Sequence, residues 1–183
     1  MIAENKMKNT DISINQTLYN VIKSLDKIDL KVKQMIFDMS HGMTEMEIIK
    51  SFNEQASYLF NLISTMTKRM GNEDEYKVSG YKTLFDNATK INAKLPVDKF
   101  TLVILEYAAE IYAEDENCFL NMTIPDKKCK VGNEFDLIRS ENFKKLWKIL
   151  GKDDKRMITD NVILLTTYAH AYLYKTILKN KLP

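Results

Sequence analysis

The sequence predicts an all-α fold: a helical bundle of six or seven helices with a long N-terminal antiparallel αα-hairpin packed on a central apolar helix. Three observations predict it. Gly (five) and Pro (three) are scarce in 183 residues that are 45% hydrophobic, so turns are few and long helices are favoured. Apolar positions recur at alternating steps of three and four, the spacing that gathers side chains on one helix face. The rare breakers Gly42, Gly71, Pro96 and Gly151 fall where those runs end, as a helix cap or stop requires.

Residues 1–13 read as a frayed, polar end. A first helix over 15–39 follows from the seam Ile14, Leu18, Val21, Leu25, Ile28, Val32, Met35 and Met39, with Ser40-His41-Gly42 ending it. Thr44 and Glu47 have the spacing of a capping box, so a second helix runs over 45–70 with Ile49, Phe52, Ala56, Leu59, Ile63, Met66 and Met70 on its seam. The two form the hairpin. Tyr81, Leu84, Phe85, Ala88, Ile91 and Leu95 mark a third helix closed by Pro96. From Phe100 to Ala113 nearly the whole circumference is apolar, the mark of a buried helix, so 98–116 is expected to be the central element, with Asp98 as its N-cap. Residues 117–133, which hold both cysteines, Pro125 and Gly132, read as a long loop. Ser140 is placed to cap a short helix carrying Phe143, Leu146, Trp147 and Leu150. A C-terminal helix over 154–180, started by Asp153 or Asp154, completes a single domain over 1–183.

The net charge is +2, too small to demand a polyanionic partner. It is unevenly spread: residues 45–123 hold 8 basic and 13 acidic side chains, residues 124–183 hold 13 and 7. Residues 1–14 have no apolar signal-peptide core, and no apolar run is long enough to span a bilayer. The expected location is the cytoplasm, or a host's cytoplasm if the chain is viral or leaves its cell by a non-classical route. Cys118 and Cys129 fit a reducing compartment and lack the spacing of zinc or redox pairs. A disulfide between them stays open. Phosphate-cradling glycine loops, nucleophile elbows and His-Glu-x-x-His are all absent.

Four groups are candidate sites. Glu106, Glu110 and Glu114, four apart on the expected central helix, could offer carboxylates to a divalent metal in a metal-dependent hydrolase, although no Glu-x-x-His pattern supplies the partner ligands. His170, among Tyr168, Tyr172, Thr166 and Thr167, could be a general base; as a core histidine it would bond a hydroxyl. His41 reads as a helix-end residue. Lys127, Lys128, Lys130, Arg139, Lys144, Lys145, Lys148, Lys152 and Lys155 are interleaved with Phe143 and Trp147, a pattern that could follow a nucleic-acid backbone or another anionic surface, or simply cover a buried tryptophan. Tyr58 and Phe60 flank the hairpin seam and are the candidate interaction residues. The sequence is therefore read as a non-enzymatic helical interaction protein, an adaptor, scaffold or regulatory factor, with a protein partner or homo-oligomer and no cofactor. Wide apolar stripes and ten methionines suit adaptable contacts.

Overall fold

The computed structural model describes residues 26–122 and 137–178. Among them the chain is mostly helical, without strands. The helices are α1 (Leu30–Gly42), α2 (Glu45–Arg69), α3 (Val78–Ile91), α4 (Leu95–Ile104), a 3-10 turn (Leu105–Tyr107), α5 (Ala108–Tyr112), α6 (Cys118–Asn121), α7 (Glu141–Ile149) and α8 (Lys152–Leu173), which runs on into a π-helical segment (Tyr174–Leu178). The expected frayed end 1–13, the helix portion 15–25, the loop portion 123–133 and the last residues 179–180 lie outside the described residues.

The expected first helix over 15–39 is not continuous. Residues 26–29 form a turn, and Asp29 restarts the chain by accepting a hydrogen bond from the Lys31 amide at 2.8 Å, the competing interaction that makes Asp a cap and a poor interior residue. The helix then continues past Met39 to Gly42. Its buried stripe is displaced by one residue from the expected seam: Ile36 and Ser40 are buried, while Met35 is exposed. The reason is the packing partner. α1 rests mainly on α8 and the π segment instead of lying along α2, so the face it buries is set by α8.

α2 follows the expected pattern closely. Thr44 Oγ1 accepts from the Glu47 amide at 3.2 Å while Glu47 Oε2 accepts from the Thr44 amide at 2.7 Å, a complete capping box. Ile49, Phe52, Ala56, Leu59, Ile63 and Met66 are all buried. The helix ends with Gly71 at φ 73, its amide donating to Lys68 O and that of Asn72 to Thr67 O. That is a Schellman motif with glycine in the left-handed position.

Pro96 opens a helix instead of closing one. α3 stops at Ile91, and α4 starts at Leu95 with Pro96 in its first turn, where the missing amide costs nothing. The expected central helix 98–116 is broken by the 3-10 turn at Leu105–Tyr107, and Asp98 lies in the first turn of α4 instead of capping it. The element at the centre is α8. It packs against α1, α2, α4 and α5 and buries Ile158, Val162, Leu165, Ala169, Ala171 and Leu173. Gly151, not an aspartate, precedes it, with Asp153 and Asp154 in its first turn, where they complement the helix dipole.

After α5 the chain repeats the motif seen after α2: the Glu114 amide donates to Ile111 O and the Asp115 amide to Glu110 O. Here the left-handed residue is Glu114, at φ 54. An L side chain pays a steric penalty in this conformation that glycine avoids. Glu114→Gly is therefore expected to raise stability by about 0.5–1 kcal/mol, read as a higher urea midpoint with an unchanged slope.

The last described segment meets the end of α1. Lys175, in the π segment, donates to Ser40 O at 2.8 Å and to Met43 O, satisfying carbonyls at the C-terminal end of α1 with a cation suited to that end of the helix dipole.

Candidate functional site

The acidic stripe does not survive as one face. The 3-10 turn changes the rotation between Glu106 and Glu110, and Glu114 lies beyond the end of α5 in a left-handed conformation. All three are exposed. Partial desolvation raises the Glu106 carboxyl above the usual range, against the pull of Arg139 and a hydrogen bond from Tyr107. Among the described residues, no three His, Cys, Asp or Glu side chains gather closely enough to hold a metal ion.

His170 is fully buried. Its Nδ1 lies 3.0 Å from the Tyr112 hydroxyl, the rings stack at 5.7 Å between centroids, and the same hydroxyl is 3.4 Å from Thr167 Oγ1. Nε2 has no hydrogen-bond partner among the described residues. Burial pushes the imidazole down to about 3 and the Tyr112 phenol above its ordinary range. At neutral pH both groups are uncharged. The arrangement is a hydrogen-bonded polar pair inside the core. His41, by contrast, is exposed within the last turn of α1, its Nδ1 2.9 Å from Phe37 O.

Phe143 and Trp147 are both buried. Phe119 lies 4.5 Å from Trp147 and 5.8 Å from Phe143, centroid to centroid, and Trp147 Nε1 donates to Glu116 O at 3.1 Å. Rings committed to the core are not available to stack on a base. Arg139, counted with the basic surface from sequence, is 1% exposed. Lys144 pairs with Glu141 at 2.9 Å, Lys155 lies 5.5 Å over the Trp147 ring, and Lys145 and Lys148 are exposed. Lys127, Lys128 and Lys130 lie outside the described residues. Cys118 is buried, and burial, with Glu110 and Asp115 nearby, pushes its thiol up to about 12, far from a reactive thiolate. Cys129 is outside the described residues.

The two hairpin-flank candidates part company. Phe60 is 8% exposed, its ring 5.3 Å from that of Phe85, whereas Tyr58 is 53% exposed. Tyr58 stands one turn from Gln55, which hydrogen-bonds to Asn161 across the α2–α8 contact. Met157 and Leu164 stand one turn to either side of Asn161, Met157 exposed and Leu164 half-buried. Half-buried Leu62 adds to the α2 side. The antiparallel pairing of α2 with α8, tied further along by Arg69 and Asp154, thus lines one open face with Tyr58, Leu62, Met157 and Leu164. Sequence reasoning had only Tyr58. Met157 and Leu164 lie 99 and 106 positions away, and only knowledge of which helices pair would have found them.

The chain is thus an all-α protein assembled around a buried C-terminal helix, with an apolar face where that helix meets α2. It is 59% identical over 165 residues to Uncharacterized protein R465 of Acanthamoeba polyphaga mimivirus, an overlap of 90% of this chain and 92% of the viral one, and it belongs to the same family. No family model matches the chain, and no solved structure matches it. Among the described residues, no helix is long and apolar enough to cross a membrane.

Proposed function

We propose that this chain is a non-enzymatic helical interaction protein, an adaptor, scaffold or regulatory factor that works through protein–protein contacts, self-association included. The observation that carries the reading is the open face of α2 and α8, where Tyr58 and Met157 stand exposed beside Leu62 and Leu164. Apolar side chains gathered on one face are a mark of contact surfaces, whereas isolated ones are ordinary, and tyrosine and methionine are enriched in such surfaces. The titratable core groups support it from the other side: His170, Tyr112 and Cys118 are held in uncharged forms by burial. The similarity to a mimivirus protein fits action in a host's cytoplasm.

Sedimentation velocity and affinity capture from the native host test this reading. The full chain is expected to self-associate or to retain a protein partner. The double substitution Tyr58→Asp with Met157→Asp is expected to weaken that association at least tenfold, with the helical circular dichroism unchanged. A strict monomer with no retrievable partner would overturn the proposal.

A further inference from the structure

We propose that the outward face of α7 docks on a second copy of this chain, its lysines set against the acidic corner that follows α5. The inner face of α7 is occupied: Phe143, Leu146 and Trp147 are buried, and the helix rests mainly on α6. Lys145, Lys148 and Ile149 fall on the side away from them and are exposed, Ile149 to 53%. Lys152 and Arg156, exposed in the first turns of α8, extend the positive charge. None of these four cations has an ion-pair partner among the described residues. Of the carboxylates in the same stretch, Glu141 is paired with Lys144 and Asp154 with Arg69, which leaves only Asp153 to offset the excess. An exposed isoleucine set among unpaired lysines is a helix face without a partner.

The occupant is named by charge. Glu110, near the end of α5, and Glu114, Asp115 and Glu116 in the turn after it are exposed, four carboxylates likewise without an ion pair among the described residues. This corner adjoins α7. Trp147 Nε1 donates to Glu116 O at 3.1 Å, and the Glu110 and Asp115 charges act on Cys118 at the start of α6. Basic and acidic patches are therefore neighbours, joined through Trp147. A two-fold axis between two such patches sets each against its opposite in the other copy and closes the assembly as a dimer. Exposed Ala113, next to Glu114, gives Ile149 an apolar counterpart. A nucleic acid would be drawn to the lysines but repelled by the adjoining carboxylates, so a second copy fits the pair of patches better. The surface uses none of the four residues that line the α2–α8 face, and the proposal does not rest on the function read from that face.

Sedimentation velocity on the full chain carrying Tyr58→Asp and Met157→Asp tests it, because that background removes the α2–α8 face from the readout. At low salt, about 20 mM, the chain is expected to form dimers, and raising the salt to about 0.5 M is expected to weaken them at least tenfold. Lys145→Glu with Lys148→Glu, and separately Glu110→Lys with Glu114→Lys, are each expected to weaken the dimer at least tenfold while the helical circular dichroism is unchanged. Mixing the two reversed chains is expected to restore association, since each then presents the charge that the other lacks. Strict monomers at low salt in this background would overturn the proposal whatever the unsubstituted chain does, as would dimers indifferent to both reversals or reversed chains that stay apart when mixed. Monomers that instead bind a single-stranded oligonucleotide through Lys145 and Lys148 would assign the face to nucleic acid and overturn its assignment to a second copy.

Discussion

Lowering the pH from 7 to 5 is expected to cost this protein about 2 kcal/mol of folding stability through His170 alone. The folded imidazole is held down to about 3 by burial, against an ordinary value of 6.5. Between those values the unfolded chain takes up a proton that the folded chain refuses, so stability is full above about 6.5 and falls as the pH drops toward 3. The complete loss is about 5 kcal/mol. Glu106, with its raised carboxyl, acts in the opposite direction, since a raised folded pKa adds stability on acidification. Comparison with His170→Gln separates the two. Urea titrations at pH 7 and pH 5 should show the native midpoint falling steeply and the variant's falling much less. Equal falls in both proteins would sink the assignment.

Trp147→Ala is expected to remove about 3–5 kcal/mol, the usual cost of emptying a buried aromatic site. The loss combines contacts with Phe119 and Phe143, the ion–ring contact from Lys155 and the hydrogen bond to Glu116 O. Trp147→Phe keeps most of the ring contact while leaving the Glu116 carbonyl without its donor, and is expected to cost about 1–3 kcal/mol. Trp147 is the sole tryptophan, so both variants are followed by circular dichroism. An alanine variant within about 0.5 kcal/mol of the native chain would show that the aromatic cluster does not hold α6 to α7.

These features differ in how far the sequence discloses them. The caps at Thr44 and Ser140 and the glycine after α2 are local: each is settled by residues within one turn of one another, and periodicity plus capping chemistry is enough to find them. The buried face of α2 is nearly as local. The choice of central helix is not. From Phe100 to Ala113 the sequence is apolar around nearly the whole circumference, yet α8 occupies the centre despite Thr166, Thr167 and His170. The two threonines lose little by burial because Thr166 donates to Val162 O at 2.7 Å and Thr167 to Ile163 O at 2.9 Å, while His170 meets Tyr112 through Nδ1 alone. A scale of hydrophobicity counts the hydroxyls and misses the carbonyls one turn back that satisfy them. Arg139 misled in the same way, a basic residue grouped with surface lysines that is in fact inside. The acidic stripe failed because its geometry assumed an unbroken α-helix, and the open α2–α8 face was illegible because it belongs to two helices whose pairing no short stretch encodes.

The Lys175 junction sets the order in which this molecule can be made. Its ammonium reaches carbonyls 135 and 132 positions earlier in the chain, and α8 is the surface on which α1, α2, α4 and α5 settle. During synthesis those earlier helices emerge first, with the faces that α8 covers still open. Native packing of those helices therefore waits until α8 has left the ribosome, and they must stay soluble in the meantime.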